Sequence, residues 1–569
     1  MKSCILDSEH INSSLTFLTP LILLLPHESP FVKHLIGNVI VVAGRCLSSS
    51  LKSWRSFTRS LIVVLELMLS NLLHCPSMFP GGFHVNFCSS SFDELKARVK
   101  NCSWSMAEIV IRVIRNLLKY LKREREPRYQ LLEIFLVSMT SLLSRMPWEF
   151  LSKSFLCYNI VLQTNDAQKN QQIHGDALDP PVAFAGNFVQ SICSLVGQAN
   201  YLVEESDSST HDSFILMVIR FVPQLFSLCL GNQRDPRKDV CHYVKHKLLM
   251  LMLRLSSQSQ LGCNSASSWL LLLHDYFEDV LTKSIVKEDP DETDFSEDSP
   301  FNFRTVGREV YDIPTIHLQR YTILLFLRCC VSDMRSTTQS CDLSVRKNKG
   351  LLELYQWVNS YVSLLGTLER EIYDDKFIGF TRAFLQLYIH EDDTMFLVLL
   401  ELSYIKSYLE QPLREEEETF DKKEELIFCF DLLFNPLTLF HIFLQEMHYD
   451  HQILISFLVS KDSGISCAKY LLRSLRVIND SWHTFTQFPF NVQTHLSSVS
   501  TDQESTSAAR NQHGSARDPF LSAKECLQSL EQSLKTLRGE DLFPYNPDVL
   551  LRRLRSFQNM CNDKCKEHS

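Results

Sequence analysis

Apolar residues recur along this chain at steps of three and four, the spacing that places side chains on one face of an α-helix. The pattern is clearest over 431–480. Leu437, Phe440, Leu444 and Met447 form one stripe, and Pro436 suits a first helical turn, where its missing N–H costs nothing. Ile453, Leu454, Phe457 and Leu458 form a second, with Asp450 placed to cap a free backbone N–H. A third stripe, Ile465, Ala468, Leu472 and Leu475, widened by Leu471 and Ile478, opens after Lys461 with Asp462 and Ser463 as candidate caps. Arg473 and Arg476 lie off that stripe, within reach of solvent or a partner. Helices this short bury their apolar faces only against neighbours.

Similar stripes lie near 51–74, 105–123, 129–146, 212–230, 243–256, 268–283, 315–332, 350–366, 376–389, 394–409 and 423–435. Their starts follow no fixed period. Alternating strand signals are rare; NVIVVA at 38–43 fits a strand or a buried helix equally well. The predicted fold is all-α, an irregular armadillo/HEAT-like helical solenoid with a small C-terminal αα-hairpin.

Breaks in the pattern divide the chain. A polar stretch at 165–181 ends in a Pro pair, 288–300 (EDPDETDFSEDSP) is acidic, and 497–518 is rich in Ser, Thr and Gln. The expected organisation is an N-terminal helical region (1–287), an acidic linker (288–310), a central helical block (311–490) whose body is continuous with the N-terminal region, a second linker (491–520) and a hairpin (521–560). In the hairpin, Leu527, Leu530, Leu534 and Leu537 share a face, and Gly539 stands where a C-cap is expected. Asn546-Pro547 is an N-cap and N1 pair, followed by Val549, Leu550, Leu554 and Phe557. About forty residues seldom fold alone, so this unit is expected to dock on the body or on a partner.

Composition and charge narrow the function. The chain is 45% hydrophobic over 569 residues, with only 16 Gly. A net charge of −9 disfavours a dedicated nucleic-acid binder, which needs a basic field. The densest basic run, 122–128 (KREREPR), is diluted by Glu124 and Glu126 and reads as a solvated turn at Pro127. The 18 cysteines are scattered, and Cys193, Cys229, Cys429 and Cys467 sit inside apolar stripes, as free thiols do. The run 16–26 (TFLTPLILLLP) is short for a membrane span, is broken by Pro20 and lacks a basic flank. A soluble, intracellular, reduced protein without stable membrane insertion is expected.

No nucleotide-binding, hydrolase or zincin motif occurs, and there is no C-x-x-C. Cys241, His242 and His246 come nearest to metal-ligand spacing but lack further ligands, as do Cys561 and Cys565. His390-Glu391-Asp392-Asp393 is best read as charge placed at a helix N-terminus. The acidic run 415–418 is a solvated face. Tyr449-Asp450-His451 lacks a nucleophile. Phe377, Phe380 and Phe384 read as core, and Tyr388, Tyr404 and Tyr408 as core caps or groove lining. No cofactor and no metal are expected.

Three segments carry a family resemblance: FLVLLELSYIK (396–406), NPLTLFHIFLQEMHYDHQILISFLVSKDSGISCAKYLLRSLRVI (435–478) and LFPYNPDVLLRRL (542–554). They resemble the Lines family, most specifically over 371–485 and 521–558. The resemblance implies a non-enzymatic regulator of developmental patterning, linked to Wnt-type signalling and transcriptional control. It would act through protein partners in cytoplasm and nucleus, and it supplies no active-site residues. The candidate partner-binding residues are Lys469, Arg473 and Arg476 of the third central helix, with Arg552 and Arg553 of the hairpin. The alternatives are an enzyme of unfamiliar type and a peripheral membrane adaptor using 15–25.

Overall fold

Steps of three and four become helices wherever they persist, and the computed structural model shows how those helices cover one another. It describes residues 17–22, 24–27, 29–73, 95–97, 99–123, 128–146, 180–199, 209–230, 238–257, 263–285, 313–339, 349–365, 370–411, 422–487 and 518–567. Among the described residues there is no strand. The stretches 124–127, 165–179, 288–300, 415–418 and 497–517 lie outside them.

The chain divides into two compact units: residues 1–277 with 298–325, and residues 278–297 with 326–569. The first holds α1 (Pro30–Leu47), α2 (Leu51–Leu72), α3 (Trp104–Arg123), α4 (Arg128–Arg145), α5 (Pro180–Ala199), α6 (Ser209–Leu230) and α7 (Lys238–Ser256). Two helices cross the division: α8 (Cys263–Leu281), bent at Phe277 where φ is −135° and ψ is 15°, and α9 (Ile313–Gln339). The second unit holds α10 (Lys349–Leu365), α11 (Arg370–Tyr388), α12 (Asp392–Leu409), α13 (Lys423–Phe434) and α14 (Pro436–Glu446). It continues with α15 (His451–Val459), α16 (Gly464–Asp480), α17 (Trp482–Thr486), α18 (Pro519–Gly539) and α19 (Asp548–Glu567).

In the first unit each helix packs on the one two places along. Helices α1, α3, α5 and α7 form one row, and α2, α4 and α6 the other. Side chains reach across each step to a neighbour's backbone. Trp54 Nε1 donates to the Leu131 carbonyl at 3.1 Å, Gln198 Nε2 to Leu118 at 3.0 Å, and Arg254 Nη1 to Cys193 at 2.6 Å. Each such bond satisfies a polar group that packing has taken from water. Gly44 lets α1 close on the rest: a Cβ there would lie 2.7 Å from Leu117 Cδ2 and 2.9 Å from Phe57 Cε1. This is the layered stacking of a helical solenoid built from pairs.

The second unit stacks at a longer step. Helix α10 packs on α13, α11 on α14, α15 on α18 and α16 on α19, while α12 packs on α16. Thr381 Oγ1 donates to the Leu433 carbonyl at 2.9 Å, and Arg382 pairs with Glu446 at 3.2 Å. Asp333 of α9 accepts the Gly350 N–H at 2.8 Å, a carboxylate on the first turn of α10. The core is aromatic: Trp357, Tyr361, Phe380, Phe384 and Phe434 meet edge-on or stacked. The fold is therefore all-α and solenoid-like, with a C-terminal αα-hairpin formed by α18 and α19.

Several local expectations change. NVIVVA is helical and sits in α1, with Ile40 and Val41 buried but Val39 and Val42 exposed. Helix α5 extends the apolar stretch around Cys193 into a full helix, and its Pro pair, read as a break, opens it. The third central stripe is rotated. Cys467, Tyr470, Leu471, Ser474, Leu475 and Ile478 are buried, whereas Ile465 is 62% exposed. Ser463 makes no cap bond; its hydroxyl donates to the Phe457 carbonyl at 3.2 Å. Gly539 still belongs to α18, and the left-handed residue behind it is Asp541, with φ 55°. Leu542 N–H then closes on the Leu537 carbonyl at 2.9 Å, so the stop is made by an aspartate. Val549 is half exposed, and Leu551 is buried instead. Asp450 caps its helix as expected, accepting from Gln452 N, and Asn435, which the spacing did not single out, caps α14 by accepting from Leu437 N.

Candidate interaction surface

The rotation of α16 sets what the helix offers. Burying 467, 471, 474, 475 and 478 turns Lys469, Arg473 and Arg476 outward, at steps of four and three along one face. Ile465 joins that face, so it is basic with an apolar end. Arg476 faces Asp480 at a loose 3.9 Å. Arg473 is held: its Nη1 donates to the Leu400 carbonyl of α12 at 3.0 Å.

That bond brings Arg473 to a larger group. Glu401 of α12 lies 3.6 Å from Arg328 of α9, with both side chains mostly buried. Burial raises the Glu401 carboxyl above its usual range, and the guanidinium groups of Arg328, Arg335 and Arg473 oppose that rise. The guanidinium carbon of Arg335 lies 4.2 Å from the Tyr404 ring centroid. Arginines of α9 and α16 thus act on one carboxylate of α12, and Arg335 also lies against the ring of Tyr404. The sequence hid this group because its members are far apart in the chain. One signal was available: Glu401 interrupts the apolar run FLVLLELSYIK, and a carboxylate in such a run needs a cation.

The hairpin is docked within the second unit. Tyr545 Oη lies 2.9 Å from the Leu458 carbonyl and 3.0 Å from the Gly464 carbonyl, to which its hydroxyl donates. Asn479 Nδ2 donates to Ser556 Oγ at 3.3 Å. Phe520 and Phe557 pack against Trp482 and Phe485. His441 of α14 lies under Phe485, its ring 4.2 Å away and Nε2 3.0 Å from the Phe485 carbonyl. Burial pushes His441 down to about 4, against the opposing pull of that carbonyl and of Asp518. Arg552 and Arg553 are exposed on α19, and none of the described contacts joins them to the α16 cations. The five candidate residues therefore fall into two groups.

Other candidates take modest roles. Asp392 and Asp393 lie in the first turn of α12, and Asp393 accepts from Thr394 N at 2.7 Å. Among the described residues no group of three or more His, Cys, Asp and Glu is placed to hold a metal ion. The side chains of Cys241, His242, Cys229 and Cys565 lie outside the described residues, and the His246 ring lies 5.5 Å from Tyr321. Phe377, Phe380, Phe384 and Tyr388 are core, as are Cys193, Cys429 and Cys467.

Stacked helices, an aromatic core and an exposed basic face define an all-helical, solenoid-like protein. Two family models match it: Lines N-terminus over 309–488 and Lines C-terminus over 523–559. The chain belongs to the Lines family. No curated protein matches it, and no solved structure does. The two matched segments are the parts that Tyr545, Asn479 and the Trp482–Phe557 cluster join.

Proposed function

We propose that this chain is a non-enzymatic regulator that works by holding protein partners, and that the basic face of α16 with Arg335 and Tyr404 receives an acidic segment of a partner. The observation that carries this reading is the outward face of α16, where Lys469, Arg473 and Arg476 follow at steps of four and three, with exposed Arg335 lying over Tyr404, in a chain of net charge −9. Cations concentrated on one face of an acidic protein steer an acidic ligand there and fix its register. Exposed Ile465 supplies an apolar anchor beside the charge. Family membership supports a role in developmental patterning and Wnt-type signalling, exercised in cytoplasm and nucleus.

The test uses a fluorescent Glu-rich peptide and the full chain. Lys469→Glu with Arg476→Glu is expected to weaken peptide binding by about tenfold or more at low salt, with the melting temperature unchanged. Arg552→Glu with Arg553→Glu serves as the comparison. Equal loss from both pairs would show net charge at work and no defined face; no loss from the α16 pair would remove the assignment.

A further inference from the structure

We infer that the outer face of α1 is a docking surface for an anionic lipid bilayer. The face is mainly apolar, with exposed His34 and Asn38 in contact with each other along one edge. Phe31, Leu35, Val39 and Val42 are 74%, 52%, 41% and 55% exposed, and Cys46 is exposed beyond them. Steps of four, four, three and four make them one stripe. The opposite face is already committed to protein: Ile36, Ile40, Val41 and Gly44 are buried, and Lys33 Nζ donates to Ser105 Oγ at 3.3 Å. Just before α1, Phe17 and Leu24 are also exposed.

An outermost helix of a stack ordinarily carries polar residues outward, because nothing in the stack covers it. Helix α1 is the first of its row among the described residues, and most of the side chains it turns outward are apolar. Its charge is equally unusual. Residues 29–65 contain no Asp or Glu, although the chain's 66 acidic residues among 569 would place about four in that length. The same stretch holds Lys33, Arg45, Lys52, Arg55 and Arg59, all but Lys33 on exposed positions. Arg45 lies at the end of the stripe, and the positive charge runs on across the turn at 48–50 into α2.

A mainly apolar face ending in cations, on a stretch of chain that carries no acid of its own, has the chemistry of an interfacial helix. It takes its affinity from buried apolar area and from attraction to anionic lipid. Helix α1 is also long and apolar enough to cross a membrane by composition. Its inner face is packed on Ile109, Val113, Leu117 and Phe57, which fixes it along the protein surface and leaves only the outer side for lipid.

The experiment is vesicle co-sedimentation of the full chain. Binding is expected to phosphatidylcholine vesicles carrying about 30% phosphatidylserine, to fall about tenfold on phosphatidylcholine alone, and to weaken in high salt. Leu35→Glu with Val42→Glu should abolish binding and leave the thermal midpoint unchanged, since both positions are exposed. Three results would overturn the proposal: no binding to anionic vesicles, undiminished binding by the double variant, or a double variant that melts early. The last would mean that the chain's own residues cover the stripe. A wild-type dimer that the double variant dissociates, with no vesicle binding, would assign the face to a second copy instead.

Discussion

The two units use the same material at different steps. In the first, rows connect helices two apart, so every pair repeats the last and the stack ends as it began, with one face of α1 uncovered. In the second, rows connect helices three or four apart, and the last rung comes from beyond residue 517. A stack of pairs is extended or ended at little cost, because each rung touches only its neighbours. The second unit is completed by a segment distant in sequence, so its core depends on that segment. The contrast teaches that the two units are finished differently: the first leaves an apolar stripe of α1 exposed, and the second is closed by α18 and α19.

Removing an aromatic ring from the closing rung tests this most severely. Phe557 is fully buried against Trp482 and Phe485. Phe557→Ala should cost about 3–5 kcal/mol, read in urea melts of the full chain with Trp fluorescence. A cost below about 1 kcal/mol would show that the hairpin is peripheral and would erase the difference between the units.

Acid should loosen the same place. His441 is neutral in the folded chain, with its value lowered to about 4 from 6.5. The unfolded chain therefore binds the extra proton first. Stability from this group is complete above 6.5 and is lost as pH falls from there towards 4, by about 3 kcal/mol in all. His441→Asn keeps a donor for the Phe485 carbonyl and should flatten that part of the stability–pH curve. An unchanged curve would place the acid sensitivity elsewhere.

A smaller effect is expected from Tyr545→Phe, which keeps the ring and deletes the hydroxyl facing Leu458 and Gly464. About 1 kcal/mol should be lost, together with faster amide exchange around Gly464. Exchange quickening equally across both units would contradict a local role. The smallest effect belongs to the open end: Leu35→Ser on α1 should shift stability by no more than about 0.5 kcal/mol, checked by the same urea melts. A larger loss would mean the stripe is covered in the free protein, and the two units would then be finished alike.

Much of this was legible in residue spacing. The helices at 104–123, 128–145, 349–365 and 392–409 follow their stripes, because amphipathic periodicity reports which side is buried when one side faces water. It failed where helices are buried nearly all round or barely at all. In α14, Leu439, His441, Ile442 and Phe443 are buried as well as the expected stripe. In α1 the burial is so slight that NVIVVA carried no directional signal. The phase of α16 was missed because Cys467, Tyr470 and Ser474 are not strong hydrophobes, yet they face inward while Ile465 faces out. No period was readable because the row spacing itself changes between units. At the candidate surface, spacing identified Lys469, Arg473 and Arg476; Arg328 and Arg335 reached Glu401 only through tertiary packing.

The closing rung has one more consequence. Residues 488–517 join two pieces that already grip each other through Tyr545, Asn479 and four aromatic rings. A protease that nicks the chain between them severs the polypeptide without parting the halves, which should co-elute and separate only in denaturant. Premature termination before residue 518 is the harsher event: Leu454, Leu458, Trp482 and Phe485 would then meet water, and the quality-control machinery with it.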